Sequence, residues 1–130
     1  MSVLPQIVRF SPVPAERAPD GSTVHPLAAL PGASTAVFVM PAGAVSVAQR
    51  HRTVSEIWFV VSGTGAVWLR SPDGATLDAP LSAGVSFTIP AGTVFQFRAD
   101  EELRIHGTTV PPWPGPGEGE TVEGAWAPQP

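Results

Sequence analysis

Apolar and polar positions follow one another in short stretches of four to eight residues, and none keeps a helical period for long. Nine of these read as β-strands: Thr23–Leu30, Ser34–Met40, Ala44–Arg50, Glu56–Ser62, Gly65–Ser71, Ala75–Leu81, Ser86–Ile89, Val94–Ala99 and Leu103–Val110. Turn chemistry separates them: Pro31-Gly32, Pro41-Ala42-Gly43, Ser62-Gly63-Thr64-Gly65, Ser71-Pro72-Asp73-Gly74, Ala83-Gly84 and Pro90-Ala91-Gly92. Proline presets the backbone for such turns and glycine supplies the positive φ they need. Many short strands at close spacing, with period-two alternation, predict an all-β antiparallel sandwich or barrel.

The two ends read differently. Val3–Phe10 is apolar but broken by Pro5, and Ser11–Gly21 is punctuated by proline, which predicts an N-terminal edge strand or arm over residues 1–22. Residues 111–130 hold six prolines and four glycines, so a central strand or a helix is excluded there. Trp113 and Trp126 lie inside that stretch, and tryptophans are scarce in disordered tails. The expected organisation is an arm over 1–22, a barrel over 23–110, and a Pro/Gly/Trp tail over 111–130 packed on the barrel.

Composition narrows the chemistry. The 130 residues include no Cys, Lys, Tyr or Asn, and all seven basic residues are Arg. Disulfides, thiol nucleophiles, Schiff-base lysines and phenolic acids are therefore out, leaving three His, eleven carboxylates and the arginines. A net charge of −4 offers no basic field for nucleic acid or an anionic membrane. No apolar run reaches the roughly 18 residues of a membrane span, and no charged-then-apolar leader opens the chain. A cytoplasmic protein with a small-molecule ligand is the expectation.

One turn gathers most of the remaining chemistry. Strand parity places Gln49 and His51 on one face, with Arg50 and Arg52 on the other. Glu56 opens the next strand, and Trp58 and Val60 follow it on the same face. Paired as a hairpin, these strands bring His51 beside Glu56, as an acid–base pair or the start of a cation site. The alternative is that Glu56 pairs with an arginine while His51 closes a loop. Further from this turn, Arg70, Arg98 and Arg104 read as outward residues like Arg50 and Arg52, and His25 as an edge or surface residue.

The spacing in this region resembles that of the cupins. Gly43, five residues, Gln49-x-His51, four residues, Glu56, six residues and Gly63 follow the first cupin motif; Gly84, five residues, Pro90-x-Gly92, two residues, Phe95, three residues and Ala99 follow the second. His-Arg-Thr-Val-Ser-Glu-Ile-Trp-Phe-Val at 51–60, Thr-Ile-Pro-Ala-Gly-Thr-Val-Phe-Gln-Phe-Arg at 88–98, and the Trp113 and Trp126 segments are similar to a branch of small single-domain cupins. The resemblance implies a cupin double-stranded β-helix, or jelly-roll barrel, with a pocket at one mouth and a homodimeric state.

It also implies where ligands would sit. Metal-dependent cupins hold their ion with about three His and one Glu, and the corresponding positions here are Gln49, His51, Glu56 and Phe95. Two ligating side chains remain, one is an amide, and Phe95 ligates nothing. Gln49, His51 and Glu56 are thus the metal candidates, for a divalent iron, manganese, zinc or nickel ion, and as catalytic residues they are the candidates for proton transfer. Trp58, Phe95, Phe97, Phe38 and Met40 are the expected apolar lining, with His106 joining them if a bulge at Gly107 reverses its outward parity. Three functions follow: an acid–base enzyme of lyase, isomerase, dehydratase or cyclase type, with Gln49 donating a hydrogen bond to a substrate oxygen; a metal-dependent oxygenase or isomerase using Gln49, His51 and Glu56; or a binding protein without turnover.

Overall fold

The structure, a computed structural model, describes residues 3–130; the first two residues of the expected arm lie outside them. Eleven strands run in order: β1 Glu16–Arg17, β2 Thr23–Leu30, β3 Ala33–Met40, β4 Gln49–His51, β5 Ser55–Ser62, β6 Gly65–Arg70, β7 Thr76–Leu81, β8 Ser86–Ile89, β9 Val94–Ala99, β10 Leu103–Val110 and β11 Gly119–Thr121. They form two antiparallel sheets, ordered β1-β2-β3-β10-β5-β8 and β11-β4-β9-β6-β7. No helix among the described residues is long and apolar enough to cross a membrane. The all-β jelly-roll expectation holds.

Alternation builds the sheets. Along β5 the residues are buried and exposed in turn, with Glu56, Trp58 and Val60 inward and Ile57, Phe59 and Val61 outward. Inward positions of both sheets meet in one core: Met40, Trp58, Val60, Leu103 and Ile105 from the first, and Val67, Leu81, Phe95, Phe97 and Ala99 from the second. Burying a side chain of that size contributes about 1.5–3 kcal/mol. Trp58 stands at the centre, its ring 5.2–5.6 Å from those of Phe38, Phe87, Phe95 and Phe97.

The turns also form as their residues dictate. In Ser71-Pro72-Asp73-Gly74 the Gly74 N–H donates to Ser71 O at 2.9 Å and the Ala75 N–H to the Asp73 side chain at 3.0 Å, with Gly74 at φ +91°. Gly63, at φ +93°, approaches β10 so closely that a Cβ would lie 2.0 Å from Glu102 O.

Two local expectations are corrected. The stretch 44–50 is strand only from Gln49; its preceding backbone is bonded to three different segments, Ala44 and Ser46 to Ala99 and Phe97, Val45 to Gln129, and Val47 to Asp20. Split among those partners, it cannot form one ladder. His25 is buried rather than superficial, because the arm lies over it: its Nδ1 is 2.8 Å from Ser11 O and Phe10 packs at 5.0 Å between ring centres.

The tail is tied down along its length. β11 pairs with β4 at the sheet edge. The buried Gln96 amide accepts from the N–H groups of Ala125 and Trp126 at 2.9 Å each and donates to Ser46 O and Trp126 O at 2.9 and 2.8 Å. Arg98 covers the Trp126 ring at 4.6 Å.

Candidate functional site

One mouth of the barrel opens into a cavity of about 480 Å³. Strand parity turns Gln49 and His51 of β4 and Glu56 and Trp58 of β5 into it, Phe38 of β3 and Phe95 of β9 add apolar wall, and the tail supplies Trp113. His51 and Glu56 meet, but not across the expected hairpin: β4 and β5 belong to different sheets, and the turn between them crosses from one sheet to the other. His51 Nδ1 lies 3.3 Å from Glu56 Oε2, out of line for a hydrogen bond, so the imidazole nitrogen has no partner of good geometry. The imidazole is held edgewise between two aromatics, Phe95 at 5.1 Å and Trp113 at 5.0 Å. The arginine-paired alternative for Glu56 is not what forms: the arginine ion pairs of the described residues go to Glu120 and Glu102.

Burial sets the electrostatics. Glu56 is 4 % exposed, and desolvation pushes its carboxyl up to about 7; the Trp58 indole works against this and the nearby Asp20 charge adds to it. Desolvation pushes the His51 imidazole down, with Glu118 opposing. Near neutral pH the imidazole is therefore uncharged and Glu56 is close to half protonated, two groups in contact suited to exchanging a proton with a bound molecule.

Three buried polar atoms on this wall have no hydrogen-bond partner: Gln49 Oε1, His51 Nδ1 and Trp58 Nε1. Buried polar groups are nearly always paired, and each orphan costs about 1–3 kcal/mol. The Gln49 amide reverses its expected role. Its Nε2 is engaged by Thr121 Oγ1 at 2.8 Å, which leaves the carbonyl oxygen as the free group. Gln49 therefore presents an acceptor, and the available donor is the Trp58 indole N–H, which lies toward the Glu56 carboxyl without a hydrogen bond of good geometry.

Several lining expectations are also corrected. Met40 and Phe97 are fully buried in the core and do not reach the cavity, because they lie deeper along their strands than Phe38 and Phe95. His106 stays on the outer face with Arg104 and Thr108. The register shift in β10 falls between Arg104 and Ile105, ahead of His106, and Gly107 is the residue that faces the cavity.

Two carboxyls went unnoticed in the sequence. Asp20 is buried at the cavity wall, its Oδ1 accepting from the Ser22 N–H at 2.9 Å and hydroxyl at 2.7 Å. Desolvation raises its pKa against those bonds. Glu118 reaches from the tail to the turn after His51, accepting from the N–H groups of Thr53 and Val54 at 2.6 Å each and from the Thr53 hydroxyl at 2.9 Å. Burial disfavours its charge, but these bonds and His51 outweigh it, so its pKa is lowered. Its only sequence signal was an acidic residue within a Gly/Pro run, and nothing local tied it to residue 53.

The donor set does not fit a resident transition metal. Of the four positions the cupin resemblance implies, Phe95 is fully buried against His51 and Gln49 is an amide, leaving one imidazole and one carboxyl. Such sites take three or more good protein ligands. Among the described residues no group of three His, Cys, Asp or Glu is placed to hold an ion.

No curated protein sequence matches the chain significantly. Solved structures do, at low identity. Oxalate decarboxylase from Bacillus subtilis, as a tryptophan variant, superposes with TM-score 0.76 at 11 % identity, over 94 % of this chain and 34 % of that one. Salicylate 1,2-dioxygenase from Pseudoaminobacter salicylatoxidans gives TM-score 0.55 at 20 % identity, over 62 % and 22 %. The cupin domain of Schizosaccharomyces pombe Cnp3 gives 0.60 at 18 %, over 69 % and 61 %. This chain thus spans about a third or less of the two enzymes' length, and what they share with it is the fold. A family model described as Cupin domain matches residues 36–110, more than half the chain and both motifs. With the two-sheet barrel and the spacing of its turns, that match settles the family: the protein is a cupin.

Proposed function

We propose that the protein is a small-molecule cupin whose cavity performs acid–base chemistry of the lyase, isomerase, dehydratase or cyclase type on a compact, partly apolar metabolite. The observation that carries this is the group of unpaired buried atoms on Gln49, His51 and Trp58 beside the Glu56 carboxyl, in one cavity. A ligand that places an acceptor at the Trp58 N–H and a donor at Gln49 Oε1 completes their hydrogen bonds. Phe38, Phe95 and Trp113 hold its apolar part. Neutral His51 then takes a proton from the ligand while protonated Glu56 returns one, and no net proton is gained or lost by the pair.

Relatives such as oxalate decarboxylase, which has Mn(II) centres, support a metal-dependent alternative, but the donor set above favours a metal-free step. Metal analysis of untagged protein addresses this directly: less than one-tenth equivalent of any divalent metal is expected, and one tightly held equivalent overturns it. The catalytic claim is tested by screening a metabolite panel for turnover, then repeating the active case with Glu56→Gln and His51→Ala. Each is expected to lose at least 10²-fold in kcat, the usual worth of a positioned acid or base. Turnover in the parent is expected to fall as pH rises past about 7, where Glu56 loses its proton. Ligand binding without turnover, or turnover unaffected by both variants, overturns the catalytic role. The homodimer that the family resemblance implies belongs to the same proposal, and sedimentation velocity reads it.

A further inference from the structure

Resting on the reading of this cavity as a small-molecule site, we infer that Asp20 and Gln49 form a subsite for a primary ammonium group, so that the ligand is an organic amine with a compact apolar body. Asp20 is an acid at the cavity wall with no basic side chain paired to it. Its Oδ1 is satisfied by Ser22, and among the described residues its Oδ2 has no hydrogen bond and no cation pairs with it. The nearest arginine along the chain, Arg17, is exposed at the rim and donates instead to Gly21 O at 3.1 Å. A buried carboxylate without a counter-charge is costly, and a ligand cation is the partner that removes that cost.

Gln49 supplies the second, independent observation. It is 2 % exposed, and its Oε1 is unpaired. That oxygen lies beside the segment that carries Asp20. A Cβ built on Gly119 would sit 2.8 Å from Gln49 Oε1 and 3.9 Å from Pro19 Cγ, and the Val47 N–H, two residues before Gln49, donates to Asp20 O at 3.0 Å. Two acceptors without donors therefore share one side of the cavity, which suits the three N–H groups of an ammonium. The other walls are the rings of Phe38, Trp58, Phe95 and Trp113, surfaces that also favour a cation. With the ammonium at Asp20 and Gln49, the Trp58 N–H and the His51–Glu56 pair remain free for a second polar group of the same molecule.

The test compares three probes of one shape and different charge: benzylamine, benzyl alcohol and benzoate, titrated at pH 6.5 and followed by tryptophan fluorescence, since two of the four tryptophans line the cavity. Benzylamine is expected to bind at least tenfold more tightly than either of the others. Asp20→Asn, which keeps the Ser22 contacts in shape, is expected to bring the amine within about threefold of the alcohol. Gln49→Leu is expected to weaken the amine in the same direction, so the inference stays testable if one variant fails to fold. Alcohol or benzoate binding as tightly as the amine, or an amine preference intact in both variants, overturns the subsite and leaves the cavity as a small-molecule site. If none of the three binds while manganese(II) alone raises the melting temperature, the subsite and the reading of a metal-free small-molecule cavity fall together.

Discussion

Glu56 and His51 are neighbours whose titrations oppose each other. The Glu56 carboxyl is raised from 4.5 to about 7, so the folded protein holds that proton more tightly than the unfolded chain does. Its contribution is fully present below about pH 4.5 and is lost as pH rises to 7, by an amount on the order of 3 kcal/mol. His51 is lowered from 6.5, so the folded state resists a proton that the unfolded chain accepts, and stability falls as pH drops below 6.5. Between about pH 4.5 and 6.5 the two slopes work against each other. Glu56→Gln is therefore expected to gain about 3 kcal/mol over the parent between pH 4 and pH 8, and to leave the His51 slope visible below 6.5. Urea unfolding across that range checks it, and a constant difference would show that Glu56 does not titrate there. Parity and motif spacing put these two residues together from sequence alone. The orientation of the Gln49 amide was not readable, because its partner Thr121 lies 72 residues away and approaches only once β11 pairs with β4.

Elements that look regular in sequence owe their exact ends to their partners. Stretches 23–30, 86–89, 94–99 and 103–110 form strands over the bounds their alternation predicts, since each has at least one neighbour that pairs with it along most of its length. The stretch before Gln49 does not, because its hydrogen bonds are divided among three segments. The tail is the opposite case: proline and glycine hide a short edge strand that depends on distant side chains. Glu118→Ala leaves the N–H groups of Thr53 and Val54 without their charged acceptor, and a loss of about 2–4 kcal/mol is expected. Because the Glu118 pKa is lowered, its contribution is present above about pH 4.5 and is lost as pH falls through the folded value, so the variant and parent converge in acid. Limited proteolysis after residue 111 gives the matching readout, with faster cleavage in the variant. Gln96→Leu strands four backbone groups at once and is expected to cost about 3 kcal/mol or more, seen as a lower urea midpoint. A neutral outcome would mean that β11, Glu118, the Val45–Gln129 pairing and the Arg98–Trp126 contact hold the tail without Gln96.

At the scale of the whole molecule the cavity is a closure between distant segments. The turn at 18–22, strands β2 and β3, the corner from β4 into β5 over 49–58, β9 and the tail all contribute to its wall. Gly107 shows how tightly these walls are fitted: a Cβ there would lie 2.4 Å from the Phe38 ring. Gly107→Ala is expected to push Phe38 into the cavity, weakening binding of any ligand at least fivefold and costing about 1–3 kcal/mol of stability, as overpacked sites do; unchanged affinity would place the ligand away from Phe38. By itself the sequence determined the all-β class, the turns, the cupin spacing and the pairing of His51 with Glu56, because alternation and glycine or proline chemistry are local properties of the chain. Only the tertiary structure decided that His106 stays outside, that Gln49 offers its oxygen and Trp58 its N–H, and that Asp20 and Glu118 become buried acids around the site. Those outcomes depend on register, burial and contacts across tens of residues, which no local pattern encodes.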